Sequence, residues 1–298
     1  MLLPRFQYHE PRSLNEAIGL IDEFGDEASL LGGGTDLLVN MKRGKLSPKH
    51  VVSLCRIEEL KEVKRENGSM SIGPCLTVAD LRDQEGIKSD FSGLAEAAGL
   101  LGSPLIRNLA TVGGNIVTAR PAADLPPPLM AYGANIVLKK ESGERTVPLD
   151  EFFQGPGRTM MEPGEILSSI ILDSPPPFSG GGYMKLGLRK SLEISIVNVA
   201  AFLALNGPSG PIREARIVLG AVAPKPMRSP SAEDALIGRE PGERLFKAAG
   251  EEAAGDARPI DDFRGSAEYR LEMIKVLTKK ALMKAYEEAK LREWRRWK

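Results

Sequence analysis

The chain has 298 residues, enough for two domains at about 150 residues each, and its 42% apolar fraction supports a sizeable core. Forty basic residues balance forty acidic ones and aromatics reach only 5%, which argues against a general nucleic-acid binder or a base-stacking surface. Cys55, Cys75, His9 and His50 are too few for an iron–sulfur cluster or a typical structural zinc site, so no metal is expected. The N-terminal residues lack a long apolar core and no run of about 18 apolar residues occurs, so neither a signal peptide nor a membrane span is expected. Two thiols fit a reduced, cytoplasmic setting.

Residues 4–8 predict a short strand. Ser13 is placed to cap a helix over 14–24, with Glu16 as its capping-box partner and Leu14, Ala17, Ile18 and Ile21 on one face. Gly25 ends that helix. Strands at 28–31 and 51–54 flank a glycine run and a short helix from Thr35 to Met41, making a small α/β unit of roughly 55 residues. Asn67-Gly68 predicts a hairpin between strands at 62–66 and 69–72. Thr77 caps a helix to Asp83, and a second helix covers 94–101. Asp124 is an N-cap candidate ahead of Pro126, Pro127 and Pro128, since proline is tolerated in a first helical turn. A hairpin at 135–140 and 145–148 and a strand at 166–172 follow. Residues 173–182 (DSPPPFSGGG) read as a linker. Beyond it come strands at 183–188, 196–205 and 215–222, then helices at 231–237, 243–254 and 266–294. The last places Tyr269, Met273, Val276, Leu277 and Leu282 at helical spacing. The basic, aromatic tail KLREWRRWK reads as a solvated helix end.

Two stretches carry chemistry. In LLGGGTDLLVNMK, glycines 32–34 precede Thr35-Asp36 at a helix start, where bare N–H groups and the helix dipole suit a phosphate. The pattern is neither a Walker A loop nor a dinucleotide fingerprint, and alone it is most simply a turn. Residues 106–124 (IRNLATVGGNIVTARPAAD) are too glycine-rich and polar for core. They read as an irregular segment whose backbone amides face a ligand. Thr111, Thr118 and Asp124 can bond sugar hydroxyls or phosphate, Gly113 and Gly114 permit close approach, and Asn115 can donate and accept. Together the stretches suggest one dinucleotide gripped twice. No catalytic elbow, zinc helix or Cys–His pair accompanies them, so any chemistry would come from the cofactor.

The chain resembles the FAD-binding subunit of molybdenum-containing hydroxylases: the medium subunit of bacterial carbon monoxide and xanthine dehydrogenases, and the matching middle domain of eukaryotic xanthine dehydrogenase. The likeness rests on PRFQYHEPRSLNEAIGLI, LLGGGTDLLVNMK, GSPLIRNLATVGGNIVTARPAADLPPPLMAYGA, YMKLGLRKSLEISIVNVAAFL and GSAEYRLEMIKVLTKKAL, and so on nearly the whole chain. It implies an α+β fold: a two-subdomain FAD-binding unit of the vanillyl-alcohol-oxidase-like type over 1–175 (1–55 and 56–175). A C-terminal domain over 178–290 would follow, with a three-stranded antiparallel sheet and helices. Leu31, Gly32, Gly33, Gly34, Thr35 and Asp36 would wrap the FAD pyrophosphate, and Thr111, Gly113, Gly114, Asn115, Thr118 and Asp124 would complete the grip. Leu167 would contact the flavin or adenine side. Lys185 would approach the isoalloxazine and tune it electrostatically, whereas its residue type alone reads as a solvated lysine at a strand end. Arg120 departs from the resemblance, because the family often has serine or another small residue there. The four-cysteine insertion of benzoyl-CoA-reducing relatives is missing, which again implies no metal.

The resemblance further implies that this chain supplies no catalytic side chain. Substrate would be oxidised at a molybdenum cofactor on a large subunit. Electrons would pass through [2Fe–2S] clusters of a small subunit to non-covalent FAD here, then to NAD⁺ or another acceptor, in a dimer of heterotrimers. A stand-alone FAD oxidoreductase of the vanillyl-alcohol-oxidase type, which often tethers its flavin through His or Cys, is the alternative. A module that binds nucleotide only to dock partners is the non-enzymatic one.

Overall fold

A computed structural model describes residues 2–189 and 192–296, the side chains of 293–296 excepted. The N-terminal unit is a parallel sheet in the order β1 (Gln7–His9), β3 (His50–Ser53), β2 (Ala28–Leu31), crossed by helix α1 (Leu14–Phe24) and helix α2 (Leu37–Lys42). Helix α1 begins where expected: the Ser13 hydroxyl accepts the Glu16 N–H at 3.2 Å. The Glu16 carboxylate, however, reaches the Arg12 N–H rather than that of Ser13, so the capping box is one residue wide of its expected form. Gly25 ends the helix at φ +50°, a conformation that disfavours side chains.

The second unit is a five-stranded antiparallel sheet. Its strands are β4 (Val63–Glu66), β5 (Ser69–Ile72), β6 (Asn135–Lys140), β7 (Gly143–Pro148) and, after the short pair β8 (Phe153–Gly155) and β9 (Arg158–Thr159), β10 (Ile166–Asp173), in the order β4-β5-β10-β6-β7. Asn67 and Gly68 both take positive φ at the first hairpin, the pairing that matches strand twist. Between β5 and β6 the chain forms α3 (Val78–Asp83), α4 (Glu85–Asp90), α5 (Ser92–Leu100), α6 (Pro104–Arg107), α7 (Val112–Val117) and α8 (Pro126–Ala131), and α9 (Leu149–Phe152) follows β7. Thus residues 106–124, expected to be irregular, include the end of α6 and the whole of α7, with turns and loops between and after them. Leu125, not Asp124, holds the N-cap position of α8.

The expected linker is shorter than its composition suggests. Ser179 to Gly182 belong to β11 (Ser179–Leu186), which pairs with β12 (Val197–Leu205), then β13 (Ile212–Gly220), then a two-residue fourth strand, β14 (Met227–Arg228). Glycine is required in β11. A Cβ on Gly180 or Gly182 would strike the backbone of the long C-terminal helix, and one on Gly181 would strike the Tyr132 hydroxyl. Helices α10 (Pro230–Asp234), α11 (Glu243–Asp256) and α12 (Ala267–Arg296) cover the outer face. The buried stripe of α12 is Arg270, Ile274, Leu277, Ala281, Leu282, Ala285 and Ala289, while Tyr269 and Val276, expected on it, are exposed. The tail's expected solvated end lies, from Glu293 on, outside the described side chains.

Strand β12 is buried at all nine positions. Val197, Val199, Ala201, Leu203 and Leu205 face the C-terminal core, whereas Ala200, Phe202 and Ala204 enter the core of the second unit beside Tyr132 and Phe91. An unbroken apolar run is the signature of a strand buried on both faces. The antiparallel C-terminal sheet is therefore the partition between two cores, and its edge closes one side of a cleft.

Candidate functional site

The two glycine stretches meet. A Cβ on Gly33 would overlap the Leu109 carbonyl, and Gly32 lies against the Thr111 hydroxyl, so the first stretch is stacked on the second through bare backbone. Gly34 turns the loop at φ +71°. Leu31 ends β2, and its carbonyl accepts the Leu54 N–H. After it, none of the N–H groups of Gly32, Gly33, Gly34, Thr35 and Asp36 finds a protein acceptor among the described residues. Gly32 to Thr35 are half-buried and Asp36 is exposed; four consecutive unbonded donors on half-buried residues are unusual, since such groups are nearly always paired with protein, water or ligand. Helix α2 is only six residues long, so an anion here would meet the loop amides rather than a helix dipole.

The second stretch differs from expectation, because its amides are already used. Thr111 is a buried N-cap whose hydroxyl accepts the Gly114 N–H at 3.1 Å. The Gly113 N–H donates to the Pro74 carbonyl at 2.8 Å, and a side chain there would collide with Pro74. The Thr118 hydroxyl donates to the Gly114 carbonyl at 2.6 Å, and the Asn115 side-chain carbonyl accepts the Leu125 N–H at 3.2 Å. Thr111, Gly113 and Gly114 thus shape the support of the first loop. Asn115, Thr118 and Asp124 line the cleft beside it, with Asp36.

That cleft has a volume of about 820 Å³, inside the range of roughly 300–1,000 Å³ usual for ligand pockets. One wall carries Asp36, Asn40, Arg43 and Lys45 around α2. The other is the C-terminal unit, with Ile194, Ala221, Arg258, Asp262, Arg264 and Arg270. This second wall escaped the sequence reading, although one signal was present: Arg270 stands in the apolar stripe of α12. Its guanidinium is fully buried, donates to the carbonyls of Ile196 and Ala221 at 2.9 Å each, and lies 2.7 Å from the Asp262 carboxylate. Arg264 and Arg270 hold the Asp262 carboxyl far below the usual range, the Arg264 hydrogen bonds being the main cause.

Lys185 is not the solvated lysine its residue type suggests. Its side chain is 7% exposed, and Nζ donates to Asp124 at 2.7 Å and to the Leu100 carbonyl at 3.1 Å. The other Asp124 oxygen accepts from Tyr183 at 2.8 Å and from Ser195 at 2.9 Å, and Asn198 braces Ser195. Burial pushes the Asp124 carboxyl above its ordinary value even against the pull of Lys185 and these donors. The Tyr183 hydroxyl is driven well above 10, by burial first and by the Asp124 charge second. The network joins α8 to β11 and β12 beneath the cleft. Leu167 lies elsewhere: it is buried on β10 opposite Leu138 in the second unit's core and does not line the cleft. Arg120, the odd residue of the second stretch, lies on the lip of the cleft with Nε 3.9 Å from Asp36.

This arrangement can hold an extended, anionic molecule with sugar hydroxyls, and Gly33 shows that the loop backbone has no room for side chains. The donor set fits a dinucleotide. Comparison with known proteins gives the same picture. Residues 4–175 match the family model described as FAD binding domain in molybdopterin dehydrogenase, and residues 183–285 match CO dehydrogenase flavoprotein C-terminal domain. The chain is 34% identical over 286 residues, 96% of its length and 99% of the relative's, to the carbon monoxide dehydrogenase medium chain of Hydrogenophaga pseudoflava. It is 31% identical to the xanthine dehydrogenase FAD-binding subunit of Escherichia coli O157:H7, covering 93% of this chain and 95% of that one. In solved structures it is similar to a chain of the H. pseudoflava carbon monoxide dehydrogenase that lacks the Mo-pyranopterin moiety, with TM-score 0.92 at 34% identity over 97% of this chain and 99% of that one.

Proposed function

The chain belongs to the FAD-binding medium-subunit family of the molybdenum hydroxylases, and from that premise we propose that it binds FAD non-covalently along the cleft and relays electrons within a dehydrogenase complex. The run of unbonded N–H donors from Gly32 to Asp36, seated on Leu109–Thr111, carries the reading. These amides would hold the diphosphate, with the Leu31 carbonyl fixing the start of the loop. Asp36, Asn115 and Thr118 would meet the sugar and ribityl hydroxyls. Thr111, Gly113 and Gly114 would position the loop, and Leu167 would support the fold behind it.

FAD, when bound, supplies the redox chemistry, because it exchanges electrons singly or in pairs. The chain's part is to orient and to hold charge. Lys185, fixed by Asp124 and Leu100, keeps a cation behind the cleft-lining Asp124, where it favours the more negative form of a bound cofactor. No side chain is assigned a proton transfer. The complex we propose has a large molybdopterin subunit that oxidises substrate and a small subunit whose [2Fe–2S] clusters feed this chain, arranged as a dimer of heterotrimers. NAD⁺ or another acceptor takes the electrons. The same reading divides the chain at 1–55, 56–175 and 178–290 and sets it in the cytoplasm; among the described residues no helix is long and apolar enough to cross a membrane.

A tethered flavin of the vanillyl-alcohol-oxidase type is disfavoured because, among the described residues, no His or Cys lines the cleft, and the exposed Cys55 thiol donates to the Gly32 carbonyl at 3.3 Å at the diphosphate loop. His9 and His50 bond each other at 3.0 Å, and burial pushes the Cys75 thiol up to about 12. Purification with partner subunits should give a flavin spectrum, and acid precipitation should release the flavin. A complex without FAD overturns the reading, and flavin retained on the precipitate overturns the non-covalent part of it.

A further inference from the structure

Resting on the FAD reading, we infer that Arg120 is a binding residue for the cofactor's diphosphate, exchanging its loose partner Asp36 for phosphate oxygens. The loop amides carry no formal charge, while a diphosphate carries two negative ones, so a cation beside the loop would strengthen the site. Arg120 stands beside the loop, 3.9 Å from the carboxylate that ends it, which is too long for a hydrogen bond. Among the described residues its guanidinium donates no hydrogen bond, although it lines the cleft.

The other cations of the cleft are farther away or committed. Arg43 and Lys45 lie past the opposite end of α2, about 9 Å along its axis at 1.5 Å per residue. Arg258 bonds the Gly255 and Ala257 carbonyls, and Arg264 and Arg270 hold Asp262.

The backbone aims Arg120. Ala119 adopts φ +48°, a conformation alanine rarely takes. That turn is pinned at three consecutive carbonyls: Ala119 accepts from Gly157 at 2.9 Å, Arg120 from Ala123 at 3.0 Å, and Pro121 from Ala221 at 2.7 Å. A strained turn held from three sides presents a rigid base for a free guanidinium, and a planar fork matches phosphate geometry.

The test uses the full-length chain stripped of flavin, with FAD affinity read by fluorescence at low and high salt and ADP as competitor. Arg120→Ser should weaken both FAD and ADP roughly 10- to 100-fold and flatten the salt dependence, the scale of one charged hydrogen-bonded contact. Arg120→Lys should keep the salt dependence while losing part of the affinity. Unchanged FAD affinity in Arg120→Ser overturns the inference. So does weakened FAD with unchanged ADP, which would put the guanidinium on the flavin side. An Arg120→Ser change that costs neither affinity nor salt dependence in an Asp36→Asn background also overturns it, since Arg120 would then only neutralise Asp36. A wild-type chain that binds no FAD removes the functional reading itself, and this inference with it.

Discussion

Side chains that look alike in sequence have different fates here. Lys185 and Lys140 are both strand lysines, yet one is sealed against Asp124 and the other pairs with Glu162 at the surface. Only tertiary packing separates them, so residue type could not tell them apart; the resemblance singled out Lys185 for a flavin role and not for this pairing with Asp124. Glu165 is a comparable case. Its carboxylate is buried and accepts from Arg145 at 2.6 and 2.9 Å and from the Glu162 N–H at 2.7 Å. The Arg145 bonds above all hold its pKa below the ordinary glutamate value of 4.5, against an upward push from burial. A depressed carboxyl stabilises the fold above its unfolded pKa, and that stability is lost as pH falls through the folded value. Glu165→Gln should therefore cost about 1–3 kcal/mol at neutral pH. The gap to wild type, read from urea midpoints, should close as pH falls below 4.5.

At the scale of elements, long and regular pieces were readable and short ones were not. Helix α1 starts and stops where Ser13 and Gly25 put it, and the Asn67-Gly68 hairpin falls in place. Helix α7 was hidden because two of its six residues are glycines, each costing about 1 kcal/mol relative to alanine in a helix. Tertiary contact overrides that propensity: Gly113 packs on Pro74, and Gly114 fits beneath the Thr111 hydroxyl. Glycine there serves packing, and the unbonded backbone donors lie in the first loop. Thr111→Ala should remove the cap, lower stability by about 1 kcal/mol in thermal unfolding and loosen the loop resting on it; Thr111→Ser should retain most of both.

For the whole molecule, the sequence led to the expectation of an FAD-type half and a C-terminal half, and carried no sign of how tightly the two cores join. Strand β12 belongs to both cores, and the glycines of β11 let α12 and Tyr132 press on it from opposite sides. The Tyr132 hydroxyl accepts the Gly93 N–H at 3.2 Å, and burial lifts its pKa to about 12. Gly181→Ala should displace that hydroxyl, orphan the Gly93 donor and cost about 2–3 kcal/mol. Adding Tyr132→Phe should recover little, because the ring carbon Cζ still obstructs the new Cβ and the Gly93 N–H keeps no acceptor. One cooperative thermal transition is expected for the wild type, and two separate transitions would contradict so close a union.

The bare amides of the first loop also make occupancy visible without any redox measurement. With no protein acceptor, the N–H groups of Gly32 to Asp36 should trade hydrogen for deuterium quickly in the empty chain. Their neighbours on β2 are held in the parallel ladder and should trade slowly. Adding FAD should slow the loop selectively, leaving the strand unchanged. A single peptide spanning Ala28 to Leu37 would then report, by mass alone, what fraction of the protein is loaded.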